Sequence, residues 1–416
     1  MFDVFINDIL SNPAILIGLF VLAGNLLLKF PVTDVLASTF KTIIGFTMLS
    51  LGAGIAAGTL DNFSAMFTEA FGVSAVVMNT DAYGALLNER FPLAPIIFIS
   101  GMLLNLVIAK FTRFKYIYLS GHLALYMSAM LAMIFQDFPP VLAVGFSALF
   151  LSAYMALSPA LLQPYTKEIT GTDKFAVANS GSLNYFLAAK LGQKFGNKKY
   201  STEEISVPSS LGFLKEPSVS MSLTMSSLFI LVSFFTGSAF IETELSGGQN
   251  FLFFSFMQGI IFAAGIQVLI TGITLAIGEI IPAFRGIAEK LIDGAIPGLD
   301  APVMLKYAPN AMILGFIVSL VAGIFGMFLL TLFSLPIIIP GMLQYFFVGG
   351  ISATYGNSTG GRKGALLGAL AVGLMMSFLP SLFVLFVGSP SDTLVFGDSD
   401  FTVLGMLVDS FASLFN

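Results

Sequence analysis

The sequence predicts an all-α polytopic membrane protein with about eleven transmembrane helices, re-entrant hairpins and inverted repeats. Three observations predict it. Apolar residues make up 56% of the 416 positions and Asp, Glu, Lys and Arg only 10%, against the roughly 25% charged residues of a soluble domain. Mean hydropathy is +0.94. Eleven apolar stretches approach the ~20 residues that cross a bilayer as a helix, at about 13–30, 41–59, 93–110, 116–135, 139–160, 219–241, 252–280, 309–333, 336–352, 361–388 and 399–415. So little charge excludes a cytosolic enzyme, and a net charge of −5 excludes a nucleic-acid binder. With no Cys there are no disulfides, Cys-metal sites or phosphocysteine on this chain, and a single His argues against a zinc site. No metal and no cofactor is expected.

The first stretch follows Asp3 and Asp8 rather than a basic segment, so it does not read as a signal peptide. The basic residues then alternate. Connections after odd-numbered stretches carry Lys29 and Lys41; Lys110, Arg113 and Lys115; Lys167, Lys174, Lys190, Lys194, Lys198, Lys199 and Lys215; Arg285, Lys290 and Lys306; and Arg362 and Lys363. Only Arg90 falls on the opposite side, where Glu242, Glu244, Asp392, Asp398 and Asp400 lie. Basic loops stay in the cytoplasm, which puts the N-terminus outside and the C-terminus inside. The stretches at 61–90, 175–191 and 285–306 are too polar or too short to span. They are expected to re-enter the membrane, where irregular backbone survives only beside protein or a water-filled cavity.

A weak internal repeat joins the halves. Phe71-Gly72-Val73, Ala94-Pro95 and Leu119-Ser120-Gly121-His122-Leu123 correspond to Asp293-Gly294-Ala295, Ala308-Pro309 and Ile339-Pro340-Gly341-Met342-Leu343, at offsets of 222, 214 and 220 residues. This gives one membrane unit over 1–416, with repeat 1 at about 41–160, a cytoplasmic connection at about 161–218 and repeat 2 at about 252–388. The second stretch then matches the seventh, so the copies face opposite ways, as in transporters that bind solute where broken helices meet.

Polar groups in an apolar chain need a reason. His122 opens an apolar helix and can donate and accept, which suits a hydroxylated or anionic solute; packing near the interface is the other reading. Asp300, in Gly298-Leu299-Asp300-Ala301-Pro302, is a candidate base for a substrate hydroxyl, or a capping Asp. Asn79-Thr80-Asp81 holds the equivalent place in the first re-entrant stretch, to bind solute or to turn the chain. Asn310 follows a helix-starting Pro309 and offers a donor and an acceptor to a cavity. Asn179-Ser180-Gly181-Ser182, flanked by Phe175 and Tyr185-Phe186, reads as a turn or a hairpin tip. Glu279 and Arg285 bracket Pro282 as an ion pair. Lys194, Lys198 and Lys199 with Glu203 and Glu204 form a solvated face or dock a soluble partner. Gly356 to Lys363 lacks the order of a phosphate loop and reads as a flexible cytoplasmic loop.

Lys41-Thr42-Ile43-Ile44-Gly45-Phe46 with Leu51-Gly52-Ala53-Gly54-Ile55, Leu119-Ser120-Gly121-His122, Gln163-Pro164 through Glu168-Ile169-Thr170, and Ala308-Pro309-Asn310-Ala311 resemble the ascorbate-specific membrane subunit, enzyme IIC, of the bacterial phosphotransferase system. The resemblance runs from about residue 13 to residue 345. It implies a homodimer in the bacterial inner membrane, each protomer with a core and a V-shaped scaffold domain. A sugar is imported while a separate IIB subunit, charged by IIA, phosphorylates it, so the phosphoryl-carrying cysteine lies off this chain. Asp300 falls where the family has its proposed base, and Thr80 and His122 fall at substrate positions. Tyr126 stands where the family has Gln, Asn179 and Ser180 where it has a His-Gln pair, and Ala53 where it has Ser. Exchanged hydrogen-bonding partners change substrate choice, so a related sugar, sugar acid or polyol is as compatible as ascorbate. The alternative reading is a secondary transporter coupled to H⁺ or Na⁺ through Asp300.

Overall fold

The computed structural model describes residues 13–71, 76–78, 80–205, 217–341, 344–391 and 394–415. In the first half, α1 (Pro13–Leu27) and the 40-residue α2 (Val32–Phe71) lead to β1 (Val76–Met78), α3 (Thr80–Arg90), α4 (Ala94–Phe111), β2 (Tyr116–Tyr118), α5 (Gly121–Ile134), α6 (Pro140–Thr170), β3 (Ala176–Val177) and α7 (Ser182–Phe195). The second half runs α8 (Pro217–Thr236), the 40-residue α9 (Phe251–Lys290), β4 (Ile296–Leu299), α10 (Pro309–Leu332), β5 (Ile338–Ile339), α11 (Gly350–Phe386), β6 (Leu394–Val395) and α12 (Ser399–Ala412). Among the described residues, six helices are long and apolar enough to cross a membrane, or seven if the bent pair Met221–Thr236 and Ser238–Leu245 is one span.

Helices α1, α2, α8 and α9 pack on one another, and α4 to α7 pack with α10 to α12. The α2–α9 crossing is built on small residues. A Cβ at Gly45 would meet the Gly272 carbonyl at 2.7 Å, and one at Gly52 would meet the Gly265 carbonyl and the Leu269 N–H at 2.5 Å. In lipid, where apolar burial between helices contributes little, such close backbone approach supplies the packing energy. Polar bonds join the same pair: Lys41 with Glu279 at 3.2 Å, and Asn62 with Gln258 at 3.1 Å. Glu279 is thus partnered by Lys41, and the Arg285 side chain lies outside the described residues.

The stretch expected at 336–352 is not a single helix. Residues 338–339 form β5, and the described chain is helical from Gln344 onward. Nor is 356–363 a flexible loop. The chain reverses inside this segment, at Gly361, whose φ of 61° and ψ of −156° break the helix. A straight helix would separate Tyr345 from Gly373 by about 42 Å, yet the Tyr345 hydroxyl donates to the Gly373 carbonyl at 3.1 Å. Two antiparallel arms, 345–360 and 362–386, therefore flank a tight tip. That tip holds the connection after α7. Asn197 N–H donates to the Gly360 carbonyl (2.8 Å), Arg362 N–H to the Tyr200 carbonyl (2.7 Å), and Thr202 N–H to Asn357 Oδ1 (2.9 Å).

Lys194, Lys198, Lys199, Glu203 and Glu204 are all exposed, in keeping with the expected solvated face, and Lys198 pairs there with Glu168. Just beyond α6, the Lys167 ammonium bonds Asp173 at 2.8 Å and holds its carboxyl below the usual range.

Candidate functional site

Short strands explain how the stretches expected to re-enter the membrane stay buried. Irregular backbone in an apolar interior must pair its N–H and C=O groups. These segments pair with each other, in two all-parallel three-stranded sheets that exchange strands between the chain halves. The order is β5-β1-β6 in one and β2-β4-β3 in the other. The second ladder continues past its strands, with Leu119 N–H bonding the Gly298 carbonyl (2.9 Å) and Ala178 N–H the Leu299 carbonyl (2.7 Å). Flanking β4 on both sides, β2 and β3 thereby bring Ser120 and His122, Asp300, and Asn179 side by side.

A cavity of about 430 Å³ lies against these strand ends. Among the described residues, all six strand-to-helix junctions contribute to its polar wall: Thr80 after β1, Ser120 and His122 after β2, Asn179 after β3, Asp300 after β4, Gln344 after β5 and Asp398 after β6. The α1–α2 part of the wall is mostly apolar, with Ile17 on α1 and Phe46, Leu49, Gly54 and Ala57 on α2; among the described residues Ser50 is its one polar side chain.

Asp300 is the hub. Its Oδ1 accepts from Asn179 Nδ2 and from the Ala301 N–H, both at 2.7 Å, so it caps the single turn Ala301–Met304 while facing the cavity. His122 Nε2 lies 3.8 Å from Asp300 Oδ2, too far for a direct hydrogen bond. His122 Nδ1 is buried with no hydrogen-bond partner among the described residues. Asn179 is held on both sides. Its Oδ1 accepts from the Gly181 N–H (2.8 Å) and the Tyr185 hydroxyl (2.9 Å), and its carbonyl accepts from Tyr154 (3.0 Å) and Ser182 (2.6 Å). An amide fixed this way presents one orientation to its neighbour.

The other wall residues are equally tied down. Thr80 Oγ1 accepts from the Gly397 N–H at 3.1 Å. The Gln344 amide, oriented with its nitrogen on the Met78 carbonyl (3.3 Å) and its oxygen on the Thr80 N–H (3.0 Å), joins β1 to the arm 345–360. Tyr126 stands edge-on to His122 at 6.1 Å and packs across Gly84, where a Cβ would meet its ring.

Five of the seven residues expected to form the site, Thr80, His122, Tyr126, Asn179 and Asp300, line this one cavity. Ser180 lies just behind it, completely buried, and donates to Asp398. Asn310 does not line it. Its N–H donates to Glu203 (3.2 Å) and its Nδ2 to the Thr202 carbonyl (3.4 Å), pinning the connection after α7 to the start of α10. Asn79 and the Asp81 side chain lie outside the described residues.

The sequence assigns no site role to Asp398, because it groups Asp398 and Asp400 with Asp392, outside the described residues, in an acidic connection. Both are in fact buried, at 7% and 2% exposure. Asp400 accepts from the Ser182 (3.1 Å) and Leu183 (2.9 Å) N–H groups at the start of α7 and from the Tyr154 hydroxyl (2.9 Å). A signal existed: Asp398-Ser399 follows Asn179-Ser180 at an offset of 219, within the range of offsets of the expected repeat.

Apolar helices around a partly open cavity with one polar wall define an integral membrane protein with a site for a small solute. The chain belongs to the EIIC-GAT family, the sugar-specific permease component of the phosphotransferase (PTS) system, which it matches over residues 8–400. It is similar to the ascorbate-specific PTS system EIIC component of Mycoplasma pneumoniae, with 24% identity over 423 residues covering 88% of this chain. The chain spans 64% of that relative's length.

Proposed function

We propose that the chain is the translocating IIC subunit of a phosphotransferase system. It imports ascorbate or a related sugar, sugar acid or polyol, and a separate IIB subunit, charged by IIA, phosphorylates the solute. The observation that carries this reading is the meeting of Thr80, His122, Tyr126, Asn179 and Asp300 in one cavity, within a chain of the permease family.

Asp300 is the group that accepts the hydroxyl proton as the phosphoryl group arrives. Asn179 fixes its carboxylate, and His122 lies close enough to share a hydroxyl with it. Phosphoryl transfer needs chiefly positioning and charge stabilisation, so this chain has to hold the solute rather than supply a nucleophile. Translocation follows from the asymmetry of the walls. The polar wall belongs to the helices around α4–α7 and α10–α12, a core, and it slides or rocks along the smooth face of α1 and α2, part of a scaffold. Two 40-residue helices, two 14-residue helices at α7 and α12, and sheets that trade strands between halves support an inverted repeat. About eleven spans, an outside N-terminus, a cytoplasmic C-terminus, a homodimer and the inner membrane of a bacterium complete the proposal.

Vesicle uptake tests it. Phosphorylated product that forms only when IIB and phosphorylated IIA are supplied supports the proposal. Accumulation of unmodified solute driven by an H⁺ or Na⁺ gradient contradicts it and favours a secondary transporter.

A further inference from the structure

We propose that Asp398 is a specificity-determining residue, which with Asp300 makes the cavity select neutral polyhydroxylated solutes and reject anionic sugar acids. This rests on the reading of the cavity as a sugar site and narrows it.

The charge inventory of the wall carries the argument. Asp300 and Asp398 both line the cavity, and among the described residues neither Lys nor Arg does. The one imidazole, His122, lies 3.8 Å from Asp300 and counts as a cation only when protonated. A solute carboxylate or enolate would therefore enter a site that already holds two acidic groups and no permanent cation. In surroundings of low dielectric constant, like charges a few ångströms apart repel strongly.

Helix N-termini also carry partial positive charge, and several of the backbone donors around the cavity are already in use. The Ala301 N–H is taken by Asp300, the Ser182 and Leu183 N–H groups by Asp400, and the Thr80 N–H by Gln344. Asp398 directly precedes α12, and Ser180 donates to its carboxylate. What the wall offers instead is acceptors. An ionised carboxylate only accepts, and adjacent hydroxyls of a polyol or neutral sugar are donors suited to it. Specificity of this kind works by repelling the wrong partner as well as by attracting the right one.

The test is calorimetric binding to the purified full-length protein, using a hexitol, the hexonate of the same carbon chain, and ascorbate. Wild type is expected to bind the hexitol at least about tenfold more tightly than either acid, a ratio in the range one mismatched group produces. Asp398→Asn is expected to narrow that ratio about tenfold, mainly by improving acid binding, while Asp398→Glu, which keeps the charge, leaves the preference for the hexitol in place. Wild-type preference for an acid overturns the proposal while leaving the sugar-site reading standing. So does a ratio unchanged in a folded Asp398→Asn protein. Failure of all three probes to bind overturns the sugar-site reading and this proposal together.

Discussion

Asn179 and Asp300, 121 positions apart in the chain, share a 2.7 Å hydrogen bond from amide to carboxylate. The bond crosses from the end of β3 to the end of β4, so it ties the two halves of the chain together at the cavity. It also aims the carboxylate. With one oxygen occupied by Asn179 and the Ala301 N–H, the other points toward His122.

Replacing Asp300 with Asn keeps the shape and one acceptor oxygen and removes the base. Solute binding is expected to change by no more than several-fold. Phosphorylated product should fall by at least about 100-fold, the usual scale for a lost general base. Paired binding and phosphorylation assays check this; phosphorylating uptake at the wild-type rate would show that Asp300 is not the base.

Asn179→Ala removes the donor to Asp300 and strands the Gly181 N–H and the Tyr185 hydroxyl. Leaving buried groups unpaired costs about 1–3 kcal/mol. The solute concentration for half-maximal uptake is expected to rise about tenfold or more. Kinetics of vesicle uptake give the answer, and an unchanged half-saturation value would remove Asn179 from the site.

Gly361 turns the hairpin at a positive φ, with the Asn197 and Tyr200 carbonyls crowding where a Cβ would be. Gly361→Ala is expected to destabilise the protein by at least about 1–2 kcal/mol from the backbone alone. Gly145 is helical with open space beside it, so Gly145→Ala is expected to be neutral or to stabilise by up to ~1 kcal/mol. Thermal unfolding midpoints of the two variants should move in opposite directions or differ by several degrees.

Gly52→Val pushes a branched side chain into the Gly265 carbonyl and the Leu269 backbone. Overpacking of this kind costs about 1–3 kcal/mol. The unfolding midpoint should drop, and a compensating small residue is not available at Gly265, which is already glycine. A midpoint equal to wild type would mean that α2 and α9 do not cross as tightly as Gly45 and Gly52 indicate.

Much of the helical layout was legible because lipid imposes a strict rule: about 20 apolar residues, then charge. That rule located α4 and α10 nearly to the residue. It failed at 336–352, where Leu335-Pro336-Ile337-Ile338-Ile339-Pro340 is as apolar as a helix but carries two prolines and β-branched runs that favour a strand. It failed again at 356–363, where a Gly-, Ser- and Asn-rich run looks like a loop yet folds into a buried hairpin tip. Small residues mark close packing in a membrane protein as readily as flexibility.

The candidate site was legible where a polar residue interrupted an apolar run, as at His122 and Asp300. Asp398 was hidden because Asp392, Asp398 and Asp400 cluster like a solvated acidic connection, and nothing local distinguishes a buried carboxylate that accepts from Ser180 from one in water. Asn310 misled for the converse reason. A polar residue after a helix-starting proline suits a cavity, but here Glu203, from the connection after α7, claims its backbone instead.

The central claim is that solute sits between the polar strand ends and the smooth face of α2. The native chain has no Cys, so single cysteines can report on it without background. Ser50 and Ala57 line the cavity from α2, and Ser410 lies exposed on α12. The measurement is the alkylation rate of Ser50→Cys, Ala57→Cys and Ser410→Cys in membranes, with and without saturating hexitol or ascorbate. The account predicts that one of these solutes slows labelling at positions 50 and 57 at least severalfold and leaves 410 unchanged. Equal rates with and without both solutes, in proteins that still take up sugar, would contradict it.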